Sequence, residues 1–272
     1  MSISADVVRQ LREKTGLPMM ECKKALEEAG GDEAKAIELL RKKGLAQLSK
    51  RAGNETGQGR VFFHADGSRA ALVELLCETQ PVADTADFNR LGQAIAQLAA
   101  TLGATTPDTI MPKPMPGATE TVEHFYHDVV NRIRENIRVG RIGVAGGHHG
   151  HYVHHDGRKG VLVEFSGPCP TELANDVCMH IVAMRPMCAR REEVPASLVE
   201  TERRVAQDQV KDKPPQIQEK IVAGKIDKWY GEIVLVEQPF VKDDKKSVGQ
   251  VLREAAQGLT VNRFVRLEIG ES

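Results

Sequence analysis

Apolar side chains recur at helical spacing in three short segments at the beginning of the chain. The pattern predicts a first helix over about 5–14, capped by Ser4 and stopped at Thr15-Gly16. A second helix is predicted from Pro18 to Gly30-Gly31, and a third from the N-cap Asp32 to Gly44 as the C′ residue. Helices this short need each other's apolar faces, so we predict a helical bundle over residues 1–52 and a Gly-rich linker over 53–60.

The pattern changes to strands after residue 60. Apolar runs at 61–65 and 70–77 flank Asp66-Gly67, which is typical of a β-hairpin with a type I′ turn. Four prolines between residues 103 and 118 predict a loop, and residues 137–145 are strand-like. Helical stripes lie on either side of that loop, one at Phe88, Leu91, Ile95, Leu98 and Leu102 and one at Val122, Phe125, Val129 and Ile133. We assign residues 61–145 to a first core subdomain.

The hairpin pattern returns 90 positions later. Six identities in eleven positions relate His64, Asp66, Gly67, Leu72, Val73 and Glu74 to His154, Asp156, Gly157, Leu162, Val163 and Glu164. An amphipathic helix follows each set, which favours duplication, although shared hairpin chemistry is an open alternative. We assign residues 146–196 and 231–272 to a second core subdomain, with a strand at Glu232–Glu237, a Ser247-capped helix and a strand at Val261–Ile269.

A charged insertion interrupts the second subdomain. Its apolar residues lie at helical spacing on both sides of Pro214-Pro215, so residues 197–230 are predicted to form a helical hairpin. The expected fold class is α+β: a three-helix bundle, then two related hairpin-plus-helix subdomains with this inserted hairpin. The hairpin has two open roles, since it either forms a homodimer or braces a complex.

Charge and composition exclude several classes of protein. Lys and Arg total 37 against 38 Asp and Glu, so the net charge is −1 and no overall field attracts nucleic acid or an anionic membrane. The sequence has no apolar run of membrane-spanning length and no signal-peptide pattern. Five scattered cysteines without a CxxC spacing argue against a disulfide framework. We therefore expect a cytoplasmic protein that binds neither nucleic acid nor membrane directly.

Candidate chemistry is sparse. The sequence lacks phosphate-binding, dinucleotide-binding, nucleophile-elbow and zinc-protease motifs. Histidines cluster at 148–155, with His124 and His127 before them, and either bind a metal or are ordinary solvated side chains; we expect no cofactor and no metal. Cys77 is either a nucleophile or a core residue, and its apolar strand favours the core.

Two further surface features have both a structural and a functional interpretation. The Met19-Met20 pair either closes the bundle or contacts a partner through flexible, polarizable side chains. Adjacent helical residues point about 100° apart, so at least one of the two is expected to be accessible. The basic run at 41–51 is either a solvated helix end and linker or a contact for an acidic or RNA partner.

The beginning of the chain also resembles a known family. The segment LREKTGLPMMECKKALEEAGGD at 11–32, followed by residues 35–44, closely resembles the opening of bacterial translation elongation factor Ts. Later elements follow in the same order, and the resemblance covers essentially the whole chain. These elements are Arg134-Glu-Asn-Ile137, Gly157–Val163, Cys178–Ala183, Gln238–Asp243 and Ser247–Gln250.

The resemblance implies a guanine nucleotide exchange factor for elongation factor Tu, in its GDP-bound and nucleotide-free states, without catalytic chemistry of its own. It implies a ubiquitin-associated-like bundle that contacts this partner through Arg12, Met19, Met20 and Lys23. A core segment that disturbs the partner's magnesium and phosphate site aligns with Thr79, Gln80, Pro81 and Val82. Further partner contacts are implied at Ile133, Arg134, His154, Phe240 and Val241.

The chain departs from the family pattern at two of these places. Gln80-Pro81 replaces the family's Asp-Phe pair, and Arg134 replaces the glycine of its Gly-Glu-Asn element. A proline still offers a rigid apolar surface, because its φ is fixed and little entropy is lost on docking. Two rival functions remain, a scaffold that uses the bundle for another protein and a histidine-based metalloenzyme.

Overall fold

The computed structural model describes residues 3–271, without the side chains of residues 45, 47–49 and 216. The α+β fold class is confirmed, since three helices come first and small sheets with further helices follow. The chain divides into two compact units. The first contains Met1–Asp66, Val73–Ile142 and Glu268–Ser272, and the second Gly67–Leu72 and Gly143–Leu267. Residues 1 and 2 of the predicted bundle and residue 272 of the predicted second subdomain lie outside the described residues.

The N-terminal bundle consists of α1 (Ala5–Thr15), α2 (Met19–Glu28) and α3 (Glu33–Arg51). Two predicted caps are confirmed: the Ser4 hydroxyl accepts the Val7 N–H at 3.4 Å, and Asp32 Oδ1 accepts the Lys35 N–H at 3.1 Å. The three helices enclose a small core of buried side chains: Val8, Leu11, Leu17, Cys22, Ala25, Leu26, Ala36 and Leu40.

Gly44 does not end the third helix, so that prediction is wrong. The helix continues to Arg51, and the basic run at 41–51 is helical. A Cβ at Gly44 would lie 1.9 Å from Asn131 Nδ2 on α7 (Val122–Ile133), so only a glycine lets the two helices approach so closely. This glycine is required for packing and not for helix termination.

The first sheet has the strand order β1-β2-β3, from β1 (Gln58–Ala65), β2 (Arg69–Cys77) and β3 (Ile137–Gly146). The predicted hairpin is confirmed, but its connection spans residues 66–68. Gly67 has a φ of +88° while Asp66 is not among the residues with positive φ, so the type I′ turn is wrong.

Three helices complete this part of the chain with α7. They are the one-turn α4 (Gln80–Ala83), the long α5 (Ala86–Leu102), which packs on β1, and α6 (Pro107–Ile110). The expectation that residues 103–118 contain no regular structure is therefore wrong over four residues. Proline is favoured in the first turn of a helix, and α6 buries Ile110.

The second sheet repeats this arrangement. Its strand order is β4-β5-β8, from β4 (His149–Val153), β5 (Lys159–Phe165) and β8 (Val261–Glu268). The first two strands pair antiparallel in a register that joins His149 to Glu164 and Val153 to Gly160. Helix α8 (Thr171–Met184) packs on this hairpin as α5 packs on β1. Each repeat is thus a hairpin whose second strand is central and pairs with a later third strand.

The insertion forms the predicted helical hairpin. It consists of α9 (Ala196–Asp208), preceded by a 3₁₀ turn at Arg191–Glu193, and α10 (Pro215–Ile233). Pro214 is the N-cap of α10, which agrees with the predicted break. The two helices share a small apolar core of Ala206, Val210, Val222 and Ile226.

The end of the chain corrects one prediction. The strand expected at Glu232–Glu237 is absent from the described residues, because α10 continues to Ile233 and a 3₁₀ turn spans Leu235–Glu237. Val234 makes only an isolated parallel bridge to Cys188. The short β6 (Pro239–Phe240) and β7 (Asp243–Ser247) follow, and then α11 (Val248–Ala255) with a complete Ser247–Gln250 capping box.

Candidate functional site

The methionine pair lies exposed at the beginning of α2. The side chains of Met19 and Met20 are 41% and 60% accessible, because Cys22, Ala25 and Leu26 supply the buried face of this helix. The expected accessibility of at least one methionine is confirmed, and the interpretation that both close the bundle is wrong. Arg12 and Lys23 are exposed as well. The bundle therefore presents two flexible apolar side chains and two exposed cations.

The segment at 79–82 forms the base and first turn of α4, and its side chains divide into two sets. Val82 and Ala83 are buried, whereas Thr79 and Pro81 are exposed and Gln80 is half-buried. The structure thus presents Pro81 on a helical turn whose far end is anchored in the core. A fixed φ at Pro81 and a buried end leave this turn little freedom.

Glu135 fixes the beginning of that turn. Its carboxylate accepts the Thr79 N–H at 2.9 Å and the Thr79 hydroxyl at 2.6 Å, so it caps α4 from another part of the chain. Thr79 makes no capping hydrogen bond with its own side chain. Sequence reasoning did not assign Glu135 a role, although it lies within the Arg134-Glu-Asn-Ile137 element that carried the resemblance.

Asn136 extends this network. Its N–H donates to Glu78 Oε1 at 2.6 Å, and its side-chain amide donates to the Asn54 carbonyl at 2.9 Å. Asn54 in turn donates to Glu78 Oε1 at 2.9 Å. The hydrogen bonds from Asn136 and Asn54 hold the pKa of Glu78 below its ordinary 4.5. Two consecutive residues, Glu135 and Asn136, therefore hold both residues that precede α4.

Cys77 is a core residue and not a nucleophile, as expected. It is fully buried at the end of β2, and its thiol donates to the Thr79 carbonyl at 3.2 Å. Burial, with the nearby Glu135 carboxylate, raises the pKa of Cys77 to about 12. The thiol form therefore dominates at neutral pH.

Arg134 ends α7 in a left-handed conformation, with a φ of +66°. Glycine adopts this conformation at little cost, which explains physically why the family pattern has glycine here. The Arg134 guanidinium contacts Glu21 Oε1 of α2 at 2.5 Å. Ile133, the residue before it, is half-buried. The departure from the family pattern thus creates an ion pair one residue after the exposed methionines.

In the second unit, Phe240 ends β6 and Val241 begins the turn that leads to β7. Phe240 is buried against the His180 ring, with centroids 5.8 Å apart, whereas Val241 is 52% accessible. The Val241 N–H donates to His180 Nδ1 at 3.2 Å, and Lys242 forms a 2.6 Å ion pair with the buried Asp176. Phe240 is therefore an anchor, and Val241 is the residue that this turn presents.

His180 has a defined tautomer. The Gln238 amide nitrogen donates to the carbonyls of Met184 and Glu232, so Gln238 Oε1 must accept from His180 Nε2, at 2.9 Å. His180 Nδ1 is then free to accept the Val241 N–H. Burial lowers the pKa of His180 below 6.5, which keeps the imidazole neutral in this network.

His154 lies at the end of the second hairpin. Its Nδ1 is 2.9 Å from the Tyr152 hydroxyl, and its ring centroid is 4.2 Å from that of His155. Across the described part of the chain, no group of three or more His, Cys, Asp or Glu side chains has metal-site geometry. The predicted contact residues thus divide between the two units. Arg12, Met19, Met20, Lys23, Thr79–Val82, Ile133 and Arg134 are in the first, and His154, Phe240 and Val241 are in the second.

No described helix is long and apolar enough to cross a membrane. The sites above consist of exposed apolar and charged side chains on fixed turns, which is an arrangement suited to binding another macromolecule.

The sequence matches known proteins over its whole length. A family model described as Elongation factor TS matches residues 78–271. Elongation factor Ts of Thioalkalivibrio sulfidiphilus is 43% identical over 279 positions, which cover 100% of this chain and 93% of that protein. Elongation factor Ts of Methylococcus capsulatus is 43% identical over 277 positions, with the same coverage.

A third relative agrees with these two. Elongation factor Ts of Aquifex aeolicus is 40% identical over 292 positions, which cover 99% of both chains. The match therefore includes the bundle, both repeats and the inserted hairpin. On the strength of the family model and of these full-length relatives, the chain belongs to the elongation factor Ts family, a family of translation elongation factors.

Proposed function

We propose that this protein is a guanine nucleotide exchange factor for elongation factor Tu, acting in the cytoplasm during translation elongation. The observation that carries the proposal is the exposed Met19-Met20 pair on the bundle, in a chain whose family membership extends over its full length. Both methionines are accessible without any rearrangement of the bundle core. Full burial of an exposed methionine is worth about 1.5–3 kcal/mol, and a protein partner could supply the part of this that matches the surface still exposed on each residue.

Exchange of this kind requires no catalytic side chain. If the protein binds the nucleotide-free partner more tightly than the GDP-bound partner, it must weaken GDP binding by the same factor. A shift from 1:99 to 99:1 needs about 5.5 kcal/mol of differential binding, which a few buried contacts can supply. We therefore assign no acid, base, nucleophile, metal or cofactor to this chain.

In the proposed mechanism, α4 enters the partner near its magnesium and phosphate site. Pro81 is exposed at its first turn, while Val82 and the Glu135 carboxylate hold the two ends of the turn in place. A turn fixed in this way loses little entropy on docking, so most of the contact energy is available to displace the partner's groups. In the second unit, Val241 contacts a separate region of the same partner.

The test is release of a fluorescent GDP analogue from elongation factor Tu, followed by stopped flow with substoichiometric amounts of this protein. We expect release to accelerate in proportion to the amount added. A GTP-binding protein of another family, loaded with the same nucleotide, serves as the control. Unchanged release in a titration that forms the complex would contradict the proposal and favour the scaffold function.

A second arm tests the site of action. Chelating magnesium with EDTA removes the ion from the partner before the protein is added, so a factor that acts at this site has less left to disturb. We expect the fold acceleration to be smaller in EDTA than in magnesium buffer. An equal acceleration in both buffers would place the action of the protein elsewhere on the partner.

A further inference from the structure

The bundle approaches α7 closely at two glycines. Gly44 and Gly16 are the points of closest approach, since a Cβ at Gly16 would lie 2.5 Å from Arg132 Cδ and one at Gly44 1.9 Å from Asn131 Nδ2. Two cavities of about 160 and 120 Å³ flank this contact, and both are lined by Leu17, Leu40 and Asn131. Packing between the bundle and α7 is thus incomplete at two places, where the apolar side chains Leu17 and Leu40 border open space.

The Arg134–Glu21 ion pair lies at the edge of this contact. It joins the last turn of α7 to the first turn of α2, and Glu21 lines the larger cavity. Both side chains are partly exposed, at 43% and 42%, so replacing either one leaves no cavity in a buried core. Arg134 also precedes Glu135, which caps α4. A single residue therefore connects the exposed methionines to the segment that holds α4.

We propose that Arg134 is a positioning residue that fixes the bundle, and with it Met19-Met20, relative to α4 through its ion pair with Glu21. The inference rests on the proposed exchange function, because the two groups that it aligns are the proposed partner contacts. Arg134 adopts a φ of +66°, a conformation that is unfavourable for a residue with a Cβ. The ion pair thus occurs at a place where glycine would suit the backbone better.

The left-handed backbone at Arg134 favours glycine, whereas the ion pair needs arginine. Thermal stability and partner affinity are therefore expected to respond differently when this residue is replaced. Replacing Arg134 with glycine removes the ion pair but relieves the backbone, so the variant is expected to unfold at the same or a higher temperature than the wild type. Its affinity for the partner is nevertheless expected to fall. A residue with a purely structural role would lower both together.

The experiment measures nucleotide release at increasing concentrations of Arg134→Gly, Glu21→Gln and the charge-swapped Arg134→Glu/Glu21→Arg variant. For the two single variants we expect the concentration that gives half-maximal release to rise about two- to fivefold, the range for an exposed ion pair, with an unchanged maximal rate. The charge swap is expected to restore it. Glu28→Gln is the matched control, since it neutralises a carboxylate on the same helix whose partner, Lys43, lies within the bundle.

Two results would overturn the proposal. One is an unchanged half-maximal concentration in both single variants. The other is a loss in the single variants that the charge swap does not restore, because Arg134 or Glu21 would then act on the partner individually. A charge-swapped variant that does not fold is replaced by Arg134→Lys, which retains the charge and should recover at least part of the affinity.

A measurement without the partner separates this inference from the proposed function. ¹⁵N relaxation of the isolated protein reports how independently the bundle tumbles, and we expect greater independence in Arg134→Gly than in wild type or Glu28→Gln. If wild-type protein fails to accelerate GDP release, the proposed exchange function is wrong. The relaxation measurement would still show whether the ion pair fixes the bundle. Identical bundle relaxation in the variant and the wild type would overturn the positioning role.

Discussion

The two hairpin repeats share a framework and differ in what is added to it. In each, a central-strand glutamate pairs with an arginine from the third strand: Glu74 with Arg141, and Glu164 with Arg263. The first repeat then adds α4 directly after its hairpin, whereas the second adds α9, α10 and the β6–β7 turn before its third strand. The proposed contacts Pro81 and Val241 lie in these additions. Partner binding is therefore expected to depend on the additions and stability on the shared framework.

The shared ion pair is itself unequal between the repeats. The side chain of Glu74 is 5% accessible and accepts the backbone N–H, Nε and Nη2 of Arg141. The side chain of Glu164 is 23% accessible and accepts Nε and Nη2 of Arg263. The first pair is thus a buried carboxylate that requires its partner, while the second is closer to a surface ion pair.

The largest effect on nucleotide release is expected outside both repeats, at the bundle. Met19→Ala/Met20→Ala should raise the concentration for half-maximal nucleotide release about tenfold to a hundredfold. Each substitution removes part of the about 1.5–3 kcal/mol that full burial of a methionine side chain contributes. Met184→Ala/Met187→Ala is the control, since it removes a comparably exposed pair from the second unit. It is expected to change the concentration for half-maximal release less than about threefold. Equal losses in the two double variants would mean that the bundle has no special role, and loss of the circular dichroism spectrum would mean that Met19 and Met20 are needed for folding and not specifically for partner binding.

The two ion pairs predict the largest effect on the free energy of unfolding. Arg141→Met should lower the free energy of unfolding by about 2–4 kcal/mol, because it leaves the Glu74 carboxylate buried and unpaired. Arg263→Met should cost about 1 kcal/mol or less. Urea titrations monitored by circular dichroism measure both, and Trp229, the single tryptophan, reports on the second unit. Equal losses in the two variants would show that burial does not distinguish the pairs.

A smaller effect is expected from the addition in the first repeat. Pro81→Gly should slow maximal nucleotide release about three- to tenfold, because it removes an apolar contact and a fixed φ worth roughly 1 kcal/mol. Pro107→Gly is the matched control, since Pro107 likewise lies in the first turn of a one-turn helix that follows a threonine. Stopped-flow release measures both.

Restoring the family's pair sharpens this test. Gln80→Asp/Pro81→Phe should match or exceed the wild-type rate if the partner's pocket still accepts an acidic and an aromatic side chain. Slower release than wild type would show that the pocket has changed with the sequence. Wild-type rates in both this variant and Pro81→Gly would remove α4 from the mechanism.

The smallest effect is the pH dependence of stability, which is expected to begin at different pH values in the two units. His180 has a lowered folded-state pKa, so the unfolded chain binds more protons and its contribution to stability is lost as pH falls below about 6.5, by at most about 1.4 kcal/mol per pH unit. Glu78, whose pKa is also lowered, contributes stability that is lost only below its ordinary 4.5. His180→Asn should flatten the slope of Trp229-monitored stability between pH 5 and about 6.5. An unchanged slope would contradict the assigned network.

The sequence was sufficient for the elements whose signals are local. The Ser4 and Asp32 caps, the two hairpins and the break at Pro214-Pro215 follow from short-range rules. Gly44 shows why some boundaries failed. A glycine that ends a helix and a glycine that admits a neighbouring helix are the same letter, and only the position of Asn131 distinguishes them.

The site was predictable in its exposed residues and not in its supports. The exposure of at least one of Met19 and Met20 followed from the narrow apolar face of a short helix, and the structure exposes both. The roles of Glu135 and His180 did not follow, because they depend on hydrogen bonds to residues 56 and 61 positions away, Thr79 and Val241. The strand predicted at 232–237 failed for a related reason. The apolar residues there are buried by packing around Val234 and not by strand pairing.

The raised pKa of Cys77 has a consequence for the oxidation chemistry of the protein. Thiolates, and not thiols, attack peroxides and maleimides, and a thiol with a pKa of about 12 is ionised to roughly one part in 100,000 at pH 7. Burial also raises the pKa values of Cys169, Cys178 and Cys188. The Cys77 thiol, which lies beside the first residues of α4, is thereby protected from oxidation. Cys22, the fifth cysteine, is fully buried, so we expect an introduced surface cysteine to be labelled before any of the five native thiols.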